Sequence, residues 1–75
     1  MSKVEIYTGN DCHFCHEAMD YFKENNIEYT EFNVSENKEA RKFLMKKGVM
    51  SVPFIVIDEN ELRGFDKEAI KALIK

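Results

Sequence analysis

No run of lysine or arginine in this chain of 75 residues is longer than two, as at Lys46-Lys47, and the formal charge at neutral pH is −3. That excludes nucleic acid as a main partner. No apolar stretch approaches the roughly 20 residues needed to cross a bilayer, so no membrane partner is expected. There is no internal repeat and no low-complexity segment. The length allows one domain, expected to cover residues 1–75. The opening Met1-Ser2-Lys3-Val4-Glu5 is polar and strand-like, unlike a signal peptide, and the expected compartment is the cytoplasm. A monomer is expected. Only two cysteines are present, Cys12 and Cys15. In a reducing compartment such a Cys-x-x-Cys pair points to catalysis or metal binding more than to a structural staple.

What is present reads as alternating strands and helices. Lys3 to Tyr7 alternates polar and apolar residues, as a strand does. Thr8-Gly9-Asn10-Asp11 is a turn, and Asn10 or Asp11 is expected to cap the next helix. Cys15, Ala18, Met19 and Phe22 fall at i, i+3, i+4 and i+7, one face of an amphipathic helix ending at Asn25-Asn26. Glu28 to Val34 is a second strand. Ser35 is expected to cap a second helix with Ala40, Phe43 and Leu44 inward, closed by Lys46, Lys47 and a left-handed Gly48. Pro53 to Ile57 is an apolar run suited to a buried central strand, and Glu61-Leu62-Arg63 returns after a turn. Asp66 caps a last helix burying Ile70, Leu73 and Ile74, with Phe65 stapled onto Ile70. The order β-α-β-α-β-β-α predicts an α/β, thioredoxin-like fold: a mixed four-stranded sheet flanked by helices, with a right-handed first β-α-β unit.

The chemistry concentrates at Cys12-His13-Phe14-Cys15-His16, between a strand and a helix. A helix N-terminus offers unpaired N–H groups and partial positive charge, which favour a thiolate over a thiol. Cys12, at the exposed start, is the expected nucleophile. Cys15, a turn later on the apolar face, is the expected resolving thiol. Other readings compete. A structural disulfide would close too small a loop to stabilise much. A zinc site could use Cys12, His13, Cys15 and His16, yet such sites draw ligands from two segments and no second pair exists, so no metal is expected. Two buried cysteines at helical spacing by chance would also give the pattern. A solvated role is expected for His13 and His16, and a core role for Tyr7, Tyr29 and the phenylalanines.

Taken together, Val4-Glu5-Ile6-Tyr7-Thr8, Cys12-x-x-Cys15-His16, Ser51-Val52-Pro53 and Gly64-Phe65-Asp66 resemble the glutaredoxin family, in the same order and over nearly the whole chain. The resemblance implies a dithiol thiol–disulfide oxidoreductase that reduces protein disulfides or glutathione mixed disulfides, with glutathione as reducing co-substrate. It implies a cis proline at Pro53 facing the nucleophile, and a backbone contact from Val52 to the cysteine of glutathione. It places the γ-glutamyl amine at Asp66, and Phe14 and Lys67 complete the implied glutathione or substrate site. Pro53 can equally be a plain strand-opening proline, and Asp66 a plain helix cap.

The chain departs from the family pattern at several positions. His13 and Phe14 stand where proline and tyrosine are usual, so the aromatic wall remains without its hydroxyl. Gly9 stands where many members carry a basic residue for the glycine carboxylate of glutathione, and Lys46, Lys47 or Arg63 would have to replace it. Gly64-Phe65 also resembles the glutaredoxin-like electron donors of ribonucleotide reductase, which thioredoxin reductase reduces. The expected partners are therefore disulfide-containing proteins, with glutathione or a thioredoxin reductase as electron source. A glutathione-dependent iron–sulfur cluster carrier, built from two copies through Cys12, is the alternative from another functional class.

Overall fold

The computed structural model describes residues 3–74. The polar opening at Met1 and Ser2 lies outside them. Seven elements follow in order: β1 Val4–Thr8, α1 His13–Glu24, β2 Thr30–Asn33, α2 Lys38–Lys46, β3 Phe54–Ile57, β4 Asn60–Arg63 and α3 Lys67–Leu73. They form a sheet ordered β2-β1-β3-β4. β1 runs parallel to β2 and antiparallel to β3, and β3 and β4 make an antiparallel hairpin. The arrangement is the mixed four-stranded, thioredoxin-like sheet that the element order predicts.

Two apolar layers hold the sheet. On one face Val4, Ile6, Ile55 and Ile57 meet Ala18 and Phe22 of α1 and Ile70 of α3. On the other, Tyr7 and Phe54 meet Ala40 and Leu44 of α2, with Val49 beyond the helix. The apolar run of β3 is therefore explained by burial on both faces, as for an inner strand. Tyr7 carries much of the second layer, its ring stacked on Phe32 at 5.0 Å and on Phe43 at 5.3 Å. Burial raises its pKa, and the nearby Glu5 carboxylate adds to the rise.

The helix ends show where local signals compete. α2 stops at Gly48, whose φ of +72° suits a residue without Cβ. Val49 N–H donates to Leu44 O, and Gly48 N–H to Met45 O, which satisfies the last carbonyls. Asp66 caps α3, its Oδ1 accepting from Glu68 N and Ala69 N. Phe65 packs on the Ile70 layer and meets Tyr21 edge-on at 5.9 Å. The start of α2 differs from the expectation. Its cap is Asn37, accepting from Glu39 N and Ala40 N, not Ser35. Asn33 is the cause: its carbonyl accepts from Glu36 N and Asn37 N, and its Oδ1 from Ser35 N. Ser35 is thereby held inside a turn, and the helix begins later. Phe43, expected inward, is 39% exposed and covers Tyr7 from the rim.

Candidate active site

Thr8 ends β1 with its side chain buried, its hydroxyl donating to Glu31 Oε2 at 2.8 Å. The chain then passes through Gly9, Asn10 and Asp11 to α1. The residue that caps α1 is Cys12, not Asn10 or Asp11. It has extended backbone angles (φ −104°, ψ 101°), and its Sγ accepts from Cys15 N at 3.2 Å. Asn10 is unavailable as a cap because β2 and its following turn claim it. Its Oδ1 accepts from Asn33 Nδ2 at 2.9 Å, and its N–H donates to Ser35 Oγ at 3.2 Å. The sulfur therefore occupies the place where a capping oxygen normally meets the free N–H groups.

Cys15 lies one turn along the buried face of α1 and is 1% exposed, whereas Cys12 is half-buried. The two are joined as a disulfide, with Cα atoms 5.2 Å apart. His13 turns to Glu17, Nε2 to Oε1 at 3.4 Å, and both His13 and His16 are exposed. Among the described residues no three His, Cys, Asp or Glu side chains gather as a metal site.

An open cleft borders the disulfide. Cys12, His13 and Phe14 line one side, and Gly9, Ser35 and Val52 the other. The Val52–Pro53 peptide bond is cis, and Pro53 is buried. The Pro53 carbonyl accepts from Gly64 N–H at 3.0 Å, tying this loop to the end of β4. The structure thus brings Cys12, Phe14 and Val52 to one cleft, with Pro53 directly after Val52. Asp66 and Lys67 do not line it. Asp66 is occupied as a cap, and Lys67 Nζ lies over the rings of Tyr21 and Phe65, 5.7 Å and 5.9 Å from their centres.

The three cations considered as a replacement at position 9 are also placed elsewhere. Lys47 pairs with Glu61 and lies over the Phe43 ring. Arg63 sits on β4 opposite Phe54, and Lys46 is exposed without lining either cavity at this end. The cation at this end is Arg41, in a second cavity that shares Gly9, Ser35 and Val52 with the first. Sequence reasoning passed over Arg41. Its spacing of i, i+3, i+4 with Leu44 and Met45 was the available signal.

Comparison with known proteins agrees with this geometry. The family model described as glutaredoxin matches residues 4–62. A probable glutaredoxin of Synechocystis sp. is 34% identical over 67 residues, covering 87% of this chain and 76% of that protein. Glutaredoxin 3 of Escherichia coli is 33% identical, covering 88% and 81%. The solved structure of the glutaredoxin-like protein NrdH-redoxin from Escherichia coli, described as having a thioredoxin-like activity profile, superposes with a TM-score of 0.88 at 26% identity, covering 97% of this chain and 96% of that one. With the family model spanning the sheet from β1 into β4, and the cysteine pair placed at the start of α1, the chain belongs to the glutaredoxin family.

Proposed function

We propose that this protein is a dithiol thiol–disulfide oxidoreductase that reduces protein disulfides and glutathione mixed disulfides, with glutathione as reducing co-substrate. The observation that carries the reading is Cys12 Sγ seated as the cap of α1, accepting the Cys15 N–H, while Cys15 is buried behind it. The helix end stabilises negative charge on that sulfur, so Cys12 is the thiolate that attacks.

In the reduced protein, Cys12 Sγ forms a bond to one sulfur of the substrate disulfide. The other substrate sulfur leaves as a thiolate and takes a proton from water. Cys15 then gives up its proton and attacks Cys12 Sγ. The second substrate thiol departs, and the Cys12–Cys15 disulfide remains. Two electrons have moved to the substrate, and two glutathione thiols restore the dithiol and leave joined as one molecule of oxidised glutathione. Phe14, Val52 and Pro53 shape the substrate cleft. Asp66 and Lys67 lie outside the cleft lining and would meet only the γ-glutamyl end of a bound glutathione. The cytoplasm supplies the reductant this cycle requires.

One observation favours a second reading, in which a thioredoxin reductase supplies the electrons. A Cβ built on Gly9 would lie 3.4 Å from Val52 Cγ2 and 3.7 Å from Ser35 Oγ. Those are ordinary contacts, so a side chain would fit there; glycine supplies no charge at the position, and none of Lys46, Lys47 and Arg63 lines the cleft in its stead. Turnover of a disulfide substrate with NADPH, glutathione and glutathione reductase, against NADPH and thioredoxin reductase, separates the two. Faster turnover in the glutathione system is expected, and activity only with thioredoxin reductase would replace the reading with the second. Visible absorbance of the purified protein would instead favour the cluster-carrier alternative.

A further inference from the structure

Among the described residues the exposed large apolar side chains are Phe14, Phe43, Met45 and Met50, and three of these four border the two cavities at the disulfide end. Met50 is 90% exposed and Met45 is 64% exposed. Water-facing apolar groups gathered beside one reactive bond mark a contact surface, and unbranched thioethers adapt to varied partners. The cavity they flank is about 350 Å³ and adjoins the Cys12 cleft at Gly9, Ser35 and Val52. The two lie side by side, with those three residues lining both. Arg41 lines the former and makes no ion pair among the described residues. A lone cation there, in a chain of net charge −3, sets the local sign against the overall one.

We propose that these adjoining cavities, from Cys12 past Val52 to Arg41, Met45 and Met50, receive an extended segment of a disulfide-bearing protein, with a large apolar residue and an acidic residue close to the reacting cysteine. The apolar side chain seats against Met45 and Met50, over the buried Leu44 and Val49. The acidic group meets Arg41. The proposal rests on Cys12 as the attacking thiol and adds what that thiol prefers to attack.

The test uses the reduced protein in single turnover. Short cysteine peptides are presented as mixed disulfides with 2-nitro-5-thiobenzoate, whose release is coloured. Cys12 bonds to the peptide sulfur and the thiobenzoate leaves as thiolate. Cys15 then displaces the peptide thiol. Four peptides combine leucine or serine with glutamate or lysine near the cysteine. The leucine–glutamate peptide is expected to react about tenfold faster than the serine–glutamate peptide, since seating one apolar side chain is worth about 1.5 kcal/mol. Arg41→Glu is expected to invert the glutamate-over-lysine preference. The double change Met45→Ser and Met50→Ser is expected to erase the leucine preference and keep the charge preference. Equal rates for leucine and serine peptides, or an unchanged charge preference in Arg41→Glu, would overturn the proposal. So would an Arg41→Glu effect confined to the mixed disulfide of glutathione, which would make this surface a tripeptide subsite. The mixed disulfide of 2-mercaptoethanol with the same thiobenzoate, which has no peptide side chains, keeps the two levels apart. Its failure to react would remove the Cys12 reading itself, whereas normal reaction without peptide selectivity would remove only this proposal.

Discussion

Asn33 holds Asn10 across the mouth of the site: Asn33 Nδ2 donates to Asn10 Oδ1 at 2.9 Å, two residues before Cys12. The same amide accepts Ser35 N–H at 2.8 Å, so one side chain fixes both the turn after β2 and the loop that delivers the sulfur. Asn33→Ala removes both bonds, together with a longer one that Asn33 Nδ2 donates to Glu36 Oε2 at 3.3 Å. An intramolecular hydrogen bond contributes about 0.5–1.5 kcal/mol net, and these are exposed, so a loss of about 1 kcal/mol is expected in denaturant unfolding. The alkylation rate of Cys12 near pH 6 is expected to fall about two- to fivefold, because a looser loop seats the sulfur less well on the helix N–H groups. A variant that loses stability but keeps the wild-type rate profile would show that Asn33 serves folding alone.

The two cysteines separate by function. Cys12→Ser is expected to abolish all redox turnover, since the remaining thiol is buried. Cys15→Ser is expected to keep much of the deglutathionylating activity, which a second glutathione can finish. It is expected to lose most protein-disulfide reduction, where the tethered thiol acts at an effective concentration no free thiol reaches. Mass spectrometry should find one added glutathione on Cys12. Equal loss of both activities in Cys15→Ser would point to the reductase-fed reading.

Asp66 carries two roles that substitution can pull apart. Asp66→Ala loses the cap to Glu68 N and Ala69 N and is expected to lower stability by about 1 kcal/mol. Asp66→Ser keeps a capping oxygen without the carboxylate. Its unfolding midpoint should stay near wild type, while the KM for glutathione rises severalfold if the carboxylate holds the γ-glutamyl amine. An unchanged KM in Asp66→Ser would leave Asp66 as a cap only.

Tyr7 gives an alkaline signature. Burial, then Glu5, raises its pKa in the folded chain. Above the ordinary tyrosine value of about 10 the unfolded chain loses this proton first, so it binds fewer protons than the folded chain and stability falls as pH rises. Below that value the contribution is fully present. Denaturant midpoints between pH 9 and 11.5 should drop for the wild type and drop less for Tyr7→Phe. Parallel curves for the two proteins would show that Tyr7 is not the group responsible.

Much of this was legible in the sequence because burial imposes a period. β3 read as an inner strand from Phe54-Ile55-Val56-Ile57, and α1 from the spacing of Cys15, Ala18 and Phe22. Gly48 and Asp66 are local signals that nothing overrides. The misreadings fall where a side chain has a distant partner. Asn10 was a sound cap until Asn33 took it, and the Ser35 hydroxyl is taken by Asn10 N–H from 25 residues away while the neighbouring Asn33 folds its backbone into a turn. Arg41 was passed over because its role as a cavity wall depends on Val52 and Gly9, far away in the chain. The Lys47–Glu61 pair likewise joins residues that no helical period relates.

The order β2-β1-β3-β4 leaves β2 and β4 as the rims of the sheet, each four residues long. Both carry ionic side chains, Glu31 on one and Glu61 and Arg63 on the other. Two of these are already bound within the chain, Glu31 by Thr8 and Glu61 by Lys47. A neighbouring molecule that tried to add a strand would find a short template and bring carboxylates together. The rims therefore resist fibril growth by strand addition in crowded solution.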